Sequence, residues 1–451
     1  MLALSRFIQR RPLAILIIIL SLTIFFALNA RKVPMTTDVR DFFPRDHPEV
    51  KAYDEIADTF GGTEYIMVAT EGEDVFQKES LELIQSLTER FESIPGVDRV
   101  RSLTNVEEVK GTAWGIELSS LLEELPRDEE EAARFRSRVL QDDFYAGSVV
   151  SGDGKLSLLA LELDPQANAV EVADGVLGAI NEERVYATGT PVLNSLLAKS
   201  MKEDLIRLIP LVVLLIALVL YLYFHNLWGV LLPFLTVIIS TIWTMGSMGL
   251  SGRQMTPLNS VMPVILITLG NAYGIHILSR FYDEASREDP GKAIENTLVS
   301  VGTAVLMAGT TTIAGFLSNS TSTIVQMREF GFFTGFGILI ALGISLIFIP
   351  AVLLYVKVPN RDASRESGVF RNILLRMAQL TVAAPGRVII VMLLAAGIFT
   401  LGVPLLTTNS NLFNFFDHDT QPRIAYELVK SSFSGSESLE LVIEGDILEP
   451  E

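Results

Sequence analysis

The chain has 451 residues, 49% of them hydrophobic and 20% charged, with a formal charge of −18. That is too apolar for an ordinary soluble protein and too charged for a bare membrane bundle, so it predicts membrane spans plus a sizeable aqueous domain. The absence of cysteine excludes disulfides, thiol catalysis and cysteine-held metal, and the acidic excess argues against nucleic acid as a partner.

Arg6, Arg10 and Arg11 precede an apolar run over 12–30, which alone would suit either a signal peptide or a first span. Residues 31–201 follow as an aqueous block. Positions 31–200 hold 34 acidic and 17 basic residues, so nearly all the excess negative charge sits there. Its pattern alternates between strand and helix. Residues 64–70 (EYIMVAT) read as a strand, 77–94 as an amphipathic helix stopped by Pro95-Gly96, and 97–103 as a second strand. A charged helix with a solvated face is expected over 121–140. Then come a strand over 156–163, a helix over 169–180 and a strand over 185–188. Two βαβ-like units of this size predict a pair of small α+β, ferredoxin-like subdomains.

Five apolar runs follow, near 205–224, 227–250, 257–279, 301–318 and 330–356, and a sixth covers 388–406. Each approaches the roughly 20 residues that cross a hydrocarbon core. The expected organisation is span 1 in 1–30 and an extracytoplasmic domain over 31–201. Spans 2–6 follow in 202–356, then a basic linker over 357–387, span 7 in 388–406 and a further extracytoplasmic segment over 407–451. Placing the arginine-bearing amino terminus in the cytoplasm puts the acidic block outside. It puts Arg361, Arg365, Arg371, Arg376 and Arg387 of the linker inside, as the positive-inside rule requires.

The most specific signal is a duplication. At an offset of 373, Phe42-Phe43 meets Phe415-Phe416, Asp46 meets Asp419 and Tyr53 meets Tyr426. Phe60 then meets Phe433, Gly62 meets Gly435, and Glu71-Gly72 meets Glu444-Gly445, while Thr36-Thr37 and Thr407-Thr408 match after a two-residue adjustment. The first apolar run is thus equivalent to a mid-chain span, which favours a retained span over a cleaved signal. Two full copies at this period need about 750 residues, so the second copy is expected to be truncated at Glu451. Parallel six-span repeats are a transporter plan.

The stretch 257–280 (PLNSVMPVILITLGNAYGIHILSR) carries Asn271, Tyr273 and His276 inside a span. Polar groups at that depth are expensive and default to function. No carboxylate lies between Pro257 and Tyr282. Gly189-Thr190-Pro191-Val192-Leu193, residues 231–237 (LLPFLTV), 269–280 (LGNAYGIHILSR) and 309–317 (GTTTIAGFL) recur in order. Arg328-Glu329-Phe330-Gly331 and Ile349-Pro350-Ala351 close the series.

In these motifs the chain resembles the RND superfamily, in particular its MMPL and Patched-like lipid exporter branch. The likeness covers essentially the whole chain, with spans two to six resembling a sterol-sensing domain. It implies a polytopic α-helical membrane protein with a ferredoxin-like α+β extracytoplasmic porter domain, in an RND-type duplicated six-span plan. It implies a secondary transporter that exports hydrophobic or lipid-like molecules on proton flux, in a cell inner membrane. A periplasmic carrier and a homo-oligomer are partners the resemblance allows; no cofactor is implied.

The resembling exporters carry an Asp in the fourth span, often beside a Tyr. Here Tyr273 matches the Tyr and Ala272 stands at the Asp position; a one-residue shift would put Tyr273 there instead. His276 is the imidazole of this stretch, and as either an interfacial residue or a relay it is expected to share a face with Tyr273. Thr310, Thr311 and Thr312 are expected to bond back to their own helix or to reach the fourth-span polar face. Arg328 and Glu329 are expected to form an interfacial pair. No nucleotide-binding loop or paired-histidine metal spacing is present, so no enzyme chemistry is expected. A non-pumping lipid receptor or accessory subunit on the same plan is the second reading, motivated by the missing carboxylate.

Overall fold

The structure is a computed structural model, and it describes residues 1–38, 42–44, 46–60, 64–112, 115–356, 369–406 and 412–433. In chain order the elements begin with α1 (Leu2–Arg10), α2 (Pro12–Ala30), α3 (Pro48–Phe60), β1 (Tyr65–Glu71), α4 (Lys78–Glu92) and β2 (Val97–Arg101). Next come β3 (Glu107–Thr112), β4 (Gly115–Ser120), α5 (Glu129–Leu140), β5 (Leu156–Leu163), α6 (Ala169–Ala179) and β6 (Val185–Thr188). The long helices follow as α7 (Thr190–Phe224), α8 (Leu227–Leu250), α9 (Met262–Ala285), α10 (Pro290–Ser300), α11 (Gly302–Leu317) and α12 (Val325–Leu353). The series ends with α13 (Val369–Ala383), α14 (Pro385–Thr400) and α15 (Gln421–Ser432). The chain forms two compact units, one from Met1–Met35 with Asp204–Ser410 and the other from Thr36–Glu203 with Asn411–Glu451.

The aqueous unit is built on one four-stranded sheet in the order β2-β5-β1-β6, with every neighbouring pair antiparallel. With α4 after β1 and α6 after β5, this is the βαββαβ, ferredoxin-like arrangement. The expected pair of subdomains is therefore one sheet, because the two βαβ halves interleave their strands instead of closing separately. A separate hairpin, β3–β4, sits between the halves. Its alternation of charged and small residues (EEVKGT, GIELSS) carries too little apolar signal to be read as strand.

Both faces of the sheet are covered, which explains why β1 and β5 are nearly continuous apolar runs. Ile66, Val68, Leu159, Leu161 and Leu163 point to one side, where they join Leu81, Ile84, Leu87 and Phe91 of α4 and Val172 and Val176 of α6. Met67, Ala69, Leu156 and Leu158 point to the other, against Leu428, Val429 and Phe433 around α15. The duplication extends to secondary structure, since α3 begins at Pro48 and α15 at Gln421, again 373 positions apart. The helix expected over 121–140 starts only at Glu129. Pro126 precedes it, and the Asp128 side chain caps it by accepting from the Glu131 N–H at 2.8 Å.

In the other unit, six helices among the described residues are long and apolar enough to cross a bilayer. The remaining expected span falls on α10 and α11, which meet at a bend of 46° and are long and apolar enough to cross a bilayer only when taken together, the geometry of a broken span or a re-entrant loop. Its apolar part is short because Gly302–Leu317 has 16 residues. The first span, α2, packs along α8 and touches α12. Close approach there rests on Gly246 and Gly249, where an added Cβ would run into the backbone of Phe26 and Asn29. Trp243 locks the same contact by donating to Thr23 Oγ1 at 3.0 Å. Helices α8, α9 and α12 form the centre of the bundle, with Leu232, Leu266, Ile277, Ile338 and Ile349 fully buried between them. By contrast, α14 buries no residue among the described elements.

Candidate functional site

The centre of the bundle is more polar than its helices suggest. Thr236, Ser240 and Thr244 recur every fourth residue on α8 and are each fully buried. Their hydroxyls donate to the carbonyls of Leu232, Val237 and Ser240 at 3.0, 2.9 and 2.7 Å, so each is satisfied within its own helix. Glycines set the depth of the facing residues. A Cβ on Gly270 would meet Val237 and Ala341, one on Gly274 would meet Pro233 and Ile349, and one on Gly337 would meet Leu266 and Thr244. Along α9, Asn271 therefore lies between the levels of Val237 and Pro233 on α8 and of Ala341 and Ile349 on α12.

Asn271 is 2% exposed, and its Nδ2 donates to the Ile267 carbonyl at 2.7 Å. Its Oδ1 is buried with no hydrogen-bond partner, and the same holds for the Ser345 and Thr334 hydroxyl oxygens. An unpaired polar atom in such surroundings costs about 1–3 kcal/mol. Three of them on two packed helices mark a seam that packing alone does not account for. At the end of the bundle near Arg253, Asn259 and Gln326 are buried with both amide atoms unpartnered, and Glu329 is held by Arg253 at 2.7 Å.

The expected site residues divide. Asn271 and Tyr273 point into the protein, whereas His276 and Ala272 lie exposed on the outer surface of α9. A three-residue step turns a helix by 300°, and the remaining 60° carries His276 off the buried face that Tyr273 occupies. His276 and Tyr273 thus do not share a face as expected. Arg280, one turn beyond, is engaged by Glu284 at 2.6 Å and donates to Ser300 at 3.2 Å.

Thr310, Thr311 and Thr312 all donate to carbonyls of their own helix, those of Met307 and Ala308, at 2.9, 2.8 and 2.9 Å. Thr310 and Thr311 are exposed, while Thr312 is half-buried and its hydroxyl faces that of Tyr273 across the α9–α11 contact. With its proton committed to Ala308, Thr312 can only accept there. Tyr273 and Thr312 are therefore brought together, and Thr310, Thr311 and His276 are not.

Sequence reading missed the α8 seam, Ser345 and Thr334. The signal for α8 was present, as hydroxyl residues at i, i+4 and i+8 within an apolar span trace one helix face. Ser345 and Thr334 lacked such spacing, and only the packing reveals them. Among the described residues no group of three His, Asp or Glu side chains is placed to hold a metal.

Comparison with known proteins agrees with this architecture. A family model described as the MMPL family matches residues 41–401. A protein of Methanocaldococcus jannaschii, described as a membrane protein, is 28% identical over 371 residues, covering 77% of this chain and 92% of that protein. The apo-petrobactin exporter of Bacillus anthracis is 22% identical over 346 residues, or 74% of this chain, which spans 41% of the exporter's length.

Proposed function

The chain belongs to the MMPL family, and on that premise we propose that it is a secondary-active transporter that exports a hydrophobic or lipid-like substrate on an ion gradient. The observation that carries the reading is Asn271, a buried amide with an unpaired oxygen near the middle of α9, in a bundle whose α8 and α12 also bury hydroxyl residues. Apolar helices that only had to pack would gain stability from a leucine there. A path that hydrates or admits a polar group during a cycle needs such atoms. The exporter among the relatives supports the direction of transport.

The drive has no carboxylate between Pro257 and Tyr282 of this repeat. Tyr273 and His276 are its titratable groups within the membrane stretch, and neither is the acid that the family places there. The coupling acid would then belong to the other repeat, with Tyr273 and Thr312 responding to it. The second reading, a lipid-binding receptor without a pump cycle, is favoured by Ala272, which stands at the acid's position on the exposed face of α9.

Reconstitution separates the two. Purified protein in liposomes should move a fluorescent phosphatidylethanolamine between leaflets only when a pH or sodium gradient is imposed. Retained lipid binding without movement under either gradient would leave the receptor reading.

A further inference from the structure

The amino-terminal helix carries a surface that the transport reading does not use. One side of α1 is fixed to the bundle. Ser5 and Ile8 are fully buried, and Gln9 Nε2 donates to the Gly291 carbonyl at 2.8 Å and to Ser5 Oγ at 3.0 Å. Met1 reaches Gly302, at the elbow where α10 turns into α11, with its sulfur 3.1 Å from where a Cβ would sit. The helix is therefore held in one orientation.

Its opposite side is exposed and mixed in chemistry. Leu2, Arg6 and Arg10 follow one another at four-residue spacing, and Ala3 and Phe7 form the neighbouring row. Leu2 is 48% exposed and Phe7 55%. Arg11, in the one-residue joint between α1 and α2, is exposed as well. None of these three guanidiniums has an ion-pair partner among the described residues, and no acidic residue precedes Asp38 in the chain. The acids nearest in sequence to the α10 contact are partly committed: Glu288 to Lys292 at 3.6 Å, Asp289 to the α10 cap and Glu284 to Arg280.

Because α2 begins one residue after α1 ends, α1 lies at the level where the first span leaves the hydrocarbon. Large apolar and cationic side chains mixed along one solvent-facing helix side are suited to the headgroup–acyl boundary. Guanidinium groups pair bidentately with phosphate. We propose that the outer face of α1 binds the headgroup of an anionic phospholipid. Arg6, Arg10 and Arg11 hold the phosphate, and Leu2 and Phe7 enter the acyl boundary beside it. This requires only that Pro12–Ala30 crosses a bilayer, so it stands whether or not the protein pumps.

The chain has no cysteine, so Ala3→Cys gives a single labelling site on this face. The labelled protein is reconstituted in phosphatidylcholine vesicles containing either brominated phosphatidylglycerol or brominated phosphatidylcholine at equal mole fraction. Each Arg near an anionic surface contributes about fivefold to local enrichment, so phosphatidylglycerol should quench the label severalfold more effectively. The R6Q/R10Q/R11Q variant should lose that preference, and the R6K/R10K/R11K variant should keep most of it. Raising the salt concentration should erode the preference in the wild-type background, a readout that holds even if the Gln variant fails to fold. Equal quenching by both lipids, or full preference in the Gln variant, would overturn the proposal.

Discussion

Gly246→Ala tests how the first span is held. A Cβ at 246 would stand 2.7 Å from Phe26 Cβ and 2.8 Å from its Cα, and nearer still to its carbonyl oxygen. Carbon atoms in good contact sit about 3.5–4.0 Å apart, so α2 and α8 must part by roughly 1 Å. Most of the obstructing atoms are backbone and cannot rotate away. A gap of that size forfeits up to about half of the dispersion well along the contact, and it stretches the Trp243–Thr23 hydrogen bond one turn away. Overpacking of this kind costs about 1–3 kcal/mol. Because one displacement relieves both positions, G246A/G249A should cost less than the sum of the single changes. Thermal unfolding of the detergent-purified protein reads the effect, with Trp243 fluorescence reporting the contact itself. Gly315→Ala is the control, since its Cβ meets nothing within 4 Å in a helix, and it should be neutral or slightly stabilising. If Gly246→Ala unfolds together with that control, the close α2–α8 crossing is wrong.

Three further outcomes are expected. Tyr273→Phe and Thr312→Val should each change the transport rate modestly and show a coupling of about 0.6 kcal/mol in a double-mutant cycle of stability; strict additivity would separate the two residues. Val429→Asp places a charge in the fully buried contact between α15 and the sheet. Limited proteolysis at Arg423 and Lys430 should then accelerate strongly, and unchanged protection would remove α15 from the sheet. The Ser151 hydroxyl and the Lys155 N–H hold the Asp153 carboxyl below its ordinary range. A depressed carboxylate stabilises the fold above its unfolded pKa and loses that contribution as pH falls through the folded one. Ser151→Ala should therefore narrow the acid side of the stability profile, and identical acid transitions would contradict the assignment.

Much of the architecture was legible in the sequence because its signals were long and redundant. Each span repeats its apolar composition over some 20 residues. The duplication paired Tyr53 with Tyr426, and the helices that carry them, α3 and α15, also start 373 positions apart. What escaped was set by packing between distant segments. One sheet replaced two because β5 inserts between β2 and β1, a pairing that local periodicity does not encode. The boundaries 121–140 failed because charged composition concealed a proline and a cap. At the candidate site, Tyr273 and Asn271 were visible as polar residues in an apolar run. The buried, unpaired hydroxyls of Ser345 and Thr334 come from α12, and the three-residue offset of His276 decides its face only once α9 has been placed against α8 and α12.

Asn271→Leu in proteoliposomes tests most directly whether the polar centre of α8, α9 and α12 is the working part of the bundle. The substitution removes the unpaired Oδ1 and nearly conserves volume, so the protein should unfold at the same temperature or higher. The account predicts that gradient-driven movement of fluorescent phosphatidylethanolamine nevertheless falls at least tenfold, equivalent to about 1.4 kcal/mol at the rate-limiting step. Undiminished movement in a stable Asn271→Leu protein would contradict it and return the seam to packing alone.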